Sequence, residues 1–382
     1  MSLHMVRTMF TDRDGRVILN KGTSNAEGHR VRPIASARAQ RRRVRRQQEE
    51  SQPEAQLEAQ PEAQPADIDE PPQDGGYPGG PVDSFVLRTF GDHVATRLWD
   101  GVDRGELRVF NNGKKLKEDV IEHEEVEQLV KSSGLYSLLK CSYEMIEKGI
   151  ISTFVERWHC DTNSFHLSVG EMTITLYDVL SLLHIPITGA FFNVSVFNKD
   201  EGVDILAELL GVSHGVAYVE FNVTRTAIIS DKSAYAVSVA YLECFRDLNS
   251  CGGYAWGATA PAYLYDNLRE ANMHQTRTVS GYLALLQTWV YEHFPTLCRD
   301  CCRLSASYVE DYPRALKWKP KRDKGLVLPF RKALDEIDVD DICWTSYEEH
   351  RLKRPFEDVS LFRGWIRWSP KMYAHLPDKV LR

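Results

Sequence analysis

The sequence predicts a mainly α-helical domain with small β elements, carried behind a disordered N-terminal tail. Apolar residues recur at helical spacing in several stretches after Phe85. The 43% hydrophobic and 10% aromatic content of the 382 residues is enough for a sizeable core. Charge and Pro/Gly content also change abruptly near residue 83.

Residues 1–83 form the expected tail, and residues 84–382 the single large helical domain. Residues 1–50 carry 12 Lys/Arg against 5 Asp/Glu, whereas residues 51–83 carry 8 acids and no Lys or Arg. The basic half contains Arg41, Arg42, Arg43, Arg45 and Arg46. The acidic half repeats Glu-Ala-Gln from Glu54 and ends in a Pro/Gly-rich run from Pro71 to Pro81. Such a composition buries too little apolar surface to offset chain entropy. The arginine cluster has two readings, a nuclear-import signal or a solvated spacer. The formal charge of −7 leaves −6 for residues 84–382. That balance argues against a broad phosphate-binding face, so any nucleic-acid contact would lean on these arginines.

Within the domain, Ile150, Ile151, Phe154, Val155 and Trp158 predict a core helix over 142–159. Phe165-His-Leu and Met172-Thr-Ile-Thr175 flank Gly170-Glu171, which reads as strand–turn–strand. Thr175 is the expected cap of the next helix, with Asp178 completing a capping box and Pro186 stopping the helix. Val237, Tyr241, Leu242, Phe245 and Leu248 predict a further helix. Another presents Tyr282, Leu285, Leu286, Trp289, Val290 and Phe294 on one face. Residues 361–373 are expected to hold a strand or two. Trp158, Phe165, Trp256 and Trp289 are expected in the core.

Trp99-Asp-Gly-Val102-Asp103-Arg104-Gly105, with Gly91-Asp92-His93 upstream, is similar to metallophosphatase motifs. Two-metal chemistry needs ligands from several loops, and here Trp99 replaces a turn glycine and no Gly-Asn-His-Glu follows. A polar surface turn is the better reading. Cys298, Cys301 and Cys302, with His293 and Cys343, could supply zinc ligands, but only one tight cysteine knuckle exists, which favours reduced thiols. His159 and Cys160 are adjacent, and on a helix neighbours point about 100° apart. Phosphate loops and nucleophile elbows do not appear. The scattered eight cysteines fit a reducing compartment. The uncharged stretch 278–291 is too short to span a bilayer, so a soluble protein is expected.

The segment Phe154-Val-Glu-Arg-Trp158 through Thr175-Leu-Tyr-Asp178-Val resembles the plant mobile domain, the family of the MAIN-like proteins, often labelled "aminotransferase-like". The resemblance continues through Leu182-Leu-His-Ile-Pro186-Ile-Thr-Gly189, Leu209-Leu-Gly-Val212, Asp231-Lys-Ser233, Gly253-Tyr-Ala-Trp256-Gly257, Gly281 to Pro295, and Cys343-Trp344 to Arg351. It covers roughly residues 85–382. It implies a domain shared by transposable elements and host nuclear proteins that support meristem maintenance, transposon silencing and gene expression. It also implies a protein partner of the plant long-form serine/threonine phosphatase type. No setting for a pyridoxal-phosphate lysine accompanies the label, and no cofactor is expected. Three departures stand out: a shortened stretch between Val212 and Asp231, Pro261 where relatives have helix formers, and an end at Leu381-Arg382 that looks like a stop partway through a longer protein. Inside a helix Pro261 would cost about 3 kcal/mol unless it occupies a first turn. The expectation is a non-enzymatic nuclear interaction protein. The alternatives are a nucleic-acid-binding accessory of a transposable element and a degenerate transposon-derived fragment.

Overall fold

The computed structural model describes residues 79–378, apart from 82, 84, 111–120, 122, 142, 144, 192–196, 220, 222–238, 322–325 and 369–370. The basic segment with Arg41, Arg42, Arg43, Arg45 and Arg46 lies outside the described residues, as do Val237 and Asp231. Packing is already established at Gly79 and Gly80, inside the segment expected to be tail. The Gly79 carbonyl lies 2.6 Å from His159 Nε2, and a side chain at Gly80 would strike the Phe90 ring.

The chain runs through helices α1 (Val94–Trp99), α2 (Glu124–Ser132), α3 (Tyr136–Cys141) and α4 (Lys148–Val155). The two-residue strand β1 (Arg108–Val109) lies between α1 and α2. An antiparallel sheet then follows, β2 (Trp158–His159), β3 (Ser164–Leu167) and β4 (Gly170–Met172), in the register Trp158↔Phe165↔Met172. Next come α5 (Leu176–Leu183), α6 (Lys199–Leu210), α7 (Trp256–Ala271), strand β5 (Thr278–Val279) and α8 (Leu283–His293). Strands β6 (Cys302–Leu304) and β7 (Trp318–Pro320), helix α9 (Val327–Asp335) and the hairpin β8 (Gly364–Trp368)–β9 (Lys371–His375) complete the series. β1 pairs in parallel with β5, and β6 antiparallel with β7. Mainly helix with small sheets is the predicted class.

The core forms around α4, α5, α7 and α8 because each offers large apolar side chains on faces that must leave water. Phe154, Trp158, Phe165 and Trp289 are at most 1% exposed. Phe165 stacks on Trp289 at 5.3 Å, and Phe154 meets Trp289 edge-on at 6.0 Å. These arrangements satisfy the ring quadrupoles as well as burial. Every residue of α8 is buried, so it is the central rod rather than an amphipathic surface helix. No described helix is long and apolar enough to cross a membrane.

Several sequence expectations are corrected in detail. The helix expected over 142–159 is α4 alone: Glu147 is extended, and Trp158–His159 leave the helix to pair with β3. Tertiary pairing overrides a helical apolar pattern there. The helix expected around Tyr241 is a 3-10 turn, Val239–Phe245, packed with α6 in a small separate apolar cluster. Trp256 is only partly buried, stacking on Phe245 at 5.7 Å and donating to the Cys251 carbonyl. Pro261 is the sixth residue of α7, in its second turn, so the first-turn escape does not apply.

Candidate functional site

Three polar side chains from three parts of the chain converge beneath a cavity of about 150 Å³. Asp178 belongs to the first turn of α5, His293 is the last residue of α8, and Tyr347 follows in the loop after Cys343. His293 Nε2 lies 3.0 Å from Asp178 Oδ1 and 3.2 Å from the Tyr347 hydroxyl. Tyr347 donates to the same Asp178 oxygen at 3.0 Å. The other oxygen, Oδ2, accepts from the Thr175 amide at 2.6 Å and the Thr175 hydroxyl at 2.7 Å. Asp178 thus caps α5 and anchors the cluster with separate oxygens.

Its charge state follows from these partners. Burial works against ionisation, but hydrogen bonds from His293 and Thr175 outweigh it and hold the Asp178 carboxyl below its ordinary value. Burial, reinforced by the Asp178 charge, pushes the Tyr347 hydroxyl well above its ordinary value, so it remains a donor. His293 Nδ1 faces the Cys343 carbonyl at 3.0 Å, an acceptor only, and therefore carries a proton. The Ser346 hydroxyl is 3.4 Å from that nitrogen, yet it donates toward the Cys343 and Glu292 carbonyls at 2.8 and 3.0 Å. An activated Ser–His pair needs the serine proton on the imidazole, and that arrangement is not made here.

A buried ion pair holds the loop in place. Both oxygens of Glu292 accept from Arg314 Nε at 3.1 Å, and Arg314 Nη2 donates to the Ser346 carbonyl at 3.1 Å. Trp318 Nε1 donates to Glu292 at 2.5 Å. Toward solvent the cavity is walled by Tyr177, Trp344 and Phe356, with Arg351 at the rim. A second recess of about 370 Å³, sharing Thr173 with the first, is lined by Asp161, Asn163, Glu171 and Tyr265.

The metallophosphatase-like and cysteine motifs do not assemble into this site. Asp103 pairs with Arg331 at 3.1 Å, which also binds Glu156 at 2.9 Å. The Arg331 hydrogen bond holds Asp103 below the usual carboxylate range. Arg104 donates to the Ala271 carbonyl at 2.5 Å, and His93 is buried with Nε2 2.8 Å from the Trp158 carbonyl. This metallophosphatase-like segment therefore ties α1 to α7 and α9. The Cys301 and Cys302 thiols donate to the Cys298 carbonyl at 3.3 and 3.4 Å, while Cys343 engages His293 through its backbone. Among the described residues, no group of three or more His, Cys, Asp or Glu is placed to hold a metal. His159 bonds Gly79, and Cys160 meets Thr89 at 3.1 Å. They are not on the helix expected from sequence: His159 ends strand β2 and Cys160 begins the turn that follows it. Asp178 was legible as a cap and His293 as a metal-ligand possibility; Tyr347 carried no signal, since its partner lies 169 residues away.

Comparison with known proteins gives the family. A family model described as the plant mobile domain matches residues 134–217 and 204–382. Protein MAIN-LIKE 1 of Arabidopsis thaliana is 31% identical over 345 residues, covering 79% of this chain and 66% of that relative. Protein MAINTENANCE OF MERISTEMS of the same plant is 30% identical over 340 residues, covering 78% and 69%. A serine/threonine-protein phosphatase 7 long form homolog, also from Arabidopsis thaliana, is 26% identical over 358 residues, covering 79% of this chain and 26% of that protein. The chain thus spans just under two thirds of the first relative's length. No solved structure matches the chain. The two family segments overlap at residues 204–217, and together they take in all of α3 to β9. The chain belongs to the plant mobile domain family.

Proposed function

We propose that this chain is a non-enzymatic nuclear interaction protein serving meristem maintenance, transposon silencing and gene expression. One observation carries the reading. The reactive side chains under the cavity are spent on one another and on backbone: both Asp178 oxygens, both His293 nitrogens and the Tyr347 hydroxyl have protein partners. A general base needs a lone pair within reach of a substrate proton, and His293 Nε2 instead sits between Asp178 and Tyr347. The family and the names of the relatives support the biological setting. The arginines at 41, 42, 43, 45 and 46 supply the import signal. The partner is a protein of the plant long-form serine/threonine phosphatase type.

The test is an assay of purified full chain for metal-dependent phosphate-ester hydrolysis. No turnover above background is expected. Hydrolysis that disappears with Asp103→Ala overturns the reading.

A second reading, a nucleic-acid-binding accessory of a transposable element, is favoured by the net +7 of residues 1–50. It requires a salt-sensitive DNA affinity that is lost when those residues are deleted. A third, a degenerate transposon-derived fragment, is favoured by the family match falling in two pieces. Detection of transcript and peptide in plant tissue separates it from the others.

A further inference from the structure

The cavity above Asp178 has the physical make-up of a cation box. Tyr177 meets Tyr347 at 83° and 5.5 Å, and Phe356 at 64° and 5.1 Å, so the walls stand steeply to one another. Trp344 lines the same space and is held by its indole donating to the Val339 carbonyl at 3.2 Å. At the floor the Asp178 carboxylate is paired with His293 at 3.0 Å, so the rings supply the attraction for a cation. Ring faces are the negative ends of aromatic quadrupoles, so a recess walled by rings favours a positive charge. The protein already places one there: the Arg351 guanidinium lies over the Tyr177 ring at 5.5 Å. Leu352, 89% exposed, and Phe356, 38% exposed, carry apolar surface outward near this rim.

The type of cation follows from hydrogen-bond accounting. Each Asp178 oxygen already accepts two donors. An ordinary lysine ammonium would surrender its bonds to water and find these acceptors taken, which is costly. A trimethylammonium has no N–H to satisfy, and it gains from the ring faces. The cavity of about 150 Å³ suits a group of that size.

We propose that this recess binds a methylated lysine side chain on a protein partner, with Tyr177, Trp344, Tyr347 and Phe356 as its walls. The proposal rests on the interaction reading above and names the chemistry of the partner. Arg351 is the internal competitor: its Nε donates to the Tyr177 hydroxyl at 2.7 Å, and its charge repels an incoming cation until displaced.

The test is a titration of the full chain with three small probes, followed by tryptophan fluorescence and calorimetry. The probes are N-acetyl-trimethyllysine methylamide, its unmethylated lysine counterpart, and the uncharged isostere with tert-butyl in place of trimethylammonium. The methylated probe is expected to bind about tenfold more tightly than either control. Phe356→Ala, at a partly exposed position, should keep the melting curve and remove the preference. Arg351→Ala should tighten binding about threefold. Equal binding of the isostere, no binding of the methylated probe, or weaker binding by Arg351→Ala each overturns the proposal. Because the probes involve no partner, their failure leaves the interaction reading standing, and capture of no partner from nuclei leaves the titration standing.

Discussion

At the scale of single residues, the molecule turns groups usually associated with chemistry into struts. Asp178 joins the start of α5, the end of α8 and the loop bearing Tyr347. Breaking a buried pair leaves its partners desolvated and unpaired, so Asp178→Asn should cost about 3–5 kcal/mol in urea unfolding. The histidines set the acid limit. Burial, with His159 adding a like-sign repulsion, lowers His93 to about 3; burial lowers His159 to about 4. Both rings stay neutral in the fold, with His93 accepting from the Ala95 amide on Nδ1. In the unfolded chain they bind a proton near their ordinary 6.5. The unfolded state therefore holds more protons below that pH, and the stability these rings contribute is complete above 6.5 and is lost toward 3–4. The lowered Asp178 carboxyl has the same sign, its contribution falling away at still lower pH. Thermal melts between pH 7.5 and 4 should show a steep fall in Tm starting just below pH 6.5, and a flat profile would count against the buried neutral rings.

Between residues and whole fold stand the elements, where local sequence was most readable. The Thr175–Asp178 capping box was visible because it depends on a three-residue spacing. Thr175→Ala removes the hydroxyl that Asp178 uses and should cost about 1–2 kcal/mol by denaturant midpoint, leaving the slope unchanged. Helix α8 was legible for the same reason, whereas the irregular pattern of residues 361–373 gave only a strand or two and not the pairing of β8 with β9. The boundaries of α4 were not. Trp158 has the spacing of one more helical residue, and only its pairing with Phe165 across the turn makes it a strand. Pro261 shows the reverse failure, because a general penalty did not keep it out of the α7 interior. There it is buried.

For the whole molecule, the family and the helical class were written in ordered motifs, whereas the polar cluster was not. Asp178, His293 and Tyr347 are separated by 115 and 54 residues, and no local period connects them. The same distance in sequence hid the structural use of Asp103, whose partner Arg331 lies 228 residues on. Localisation belongs to this scale as well. Replacing Arg41, Arg42, Arg43, Arg45 and Arg46 with Gln should abolish nuclear accumulation of a fluorescent fusion in plant cells while leaving the melting temperature unchanged. The proposed role is surface contact rather than turnover. Affinity purification of the full chain from plant nuclei, with quantitative mass spectrometry, tests that most directly. Co-enrichment of a long-form serine/threonine phosphatase-like protein in near-stoichiometric amount is expected. Recovery of the chain from nuclei with no enriched protein partner would contradict it.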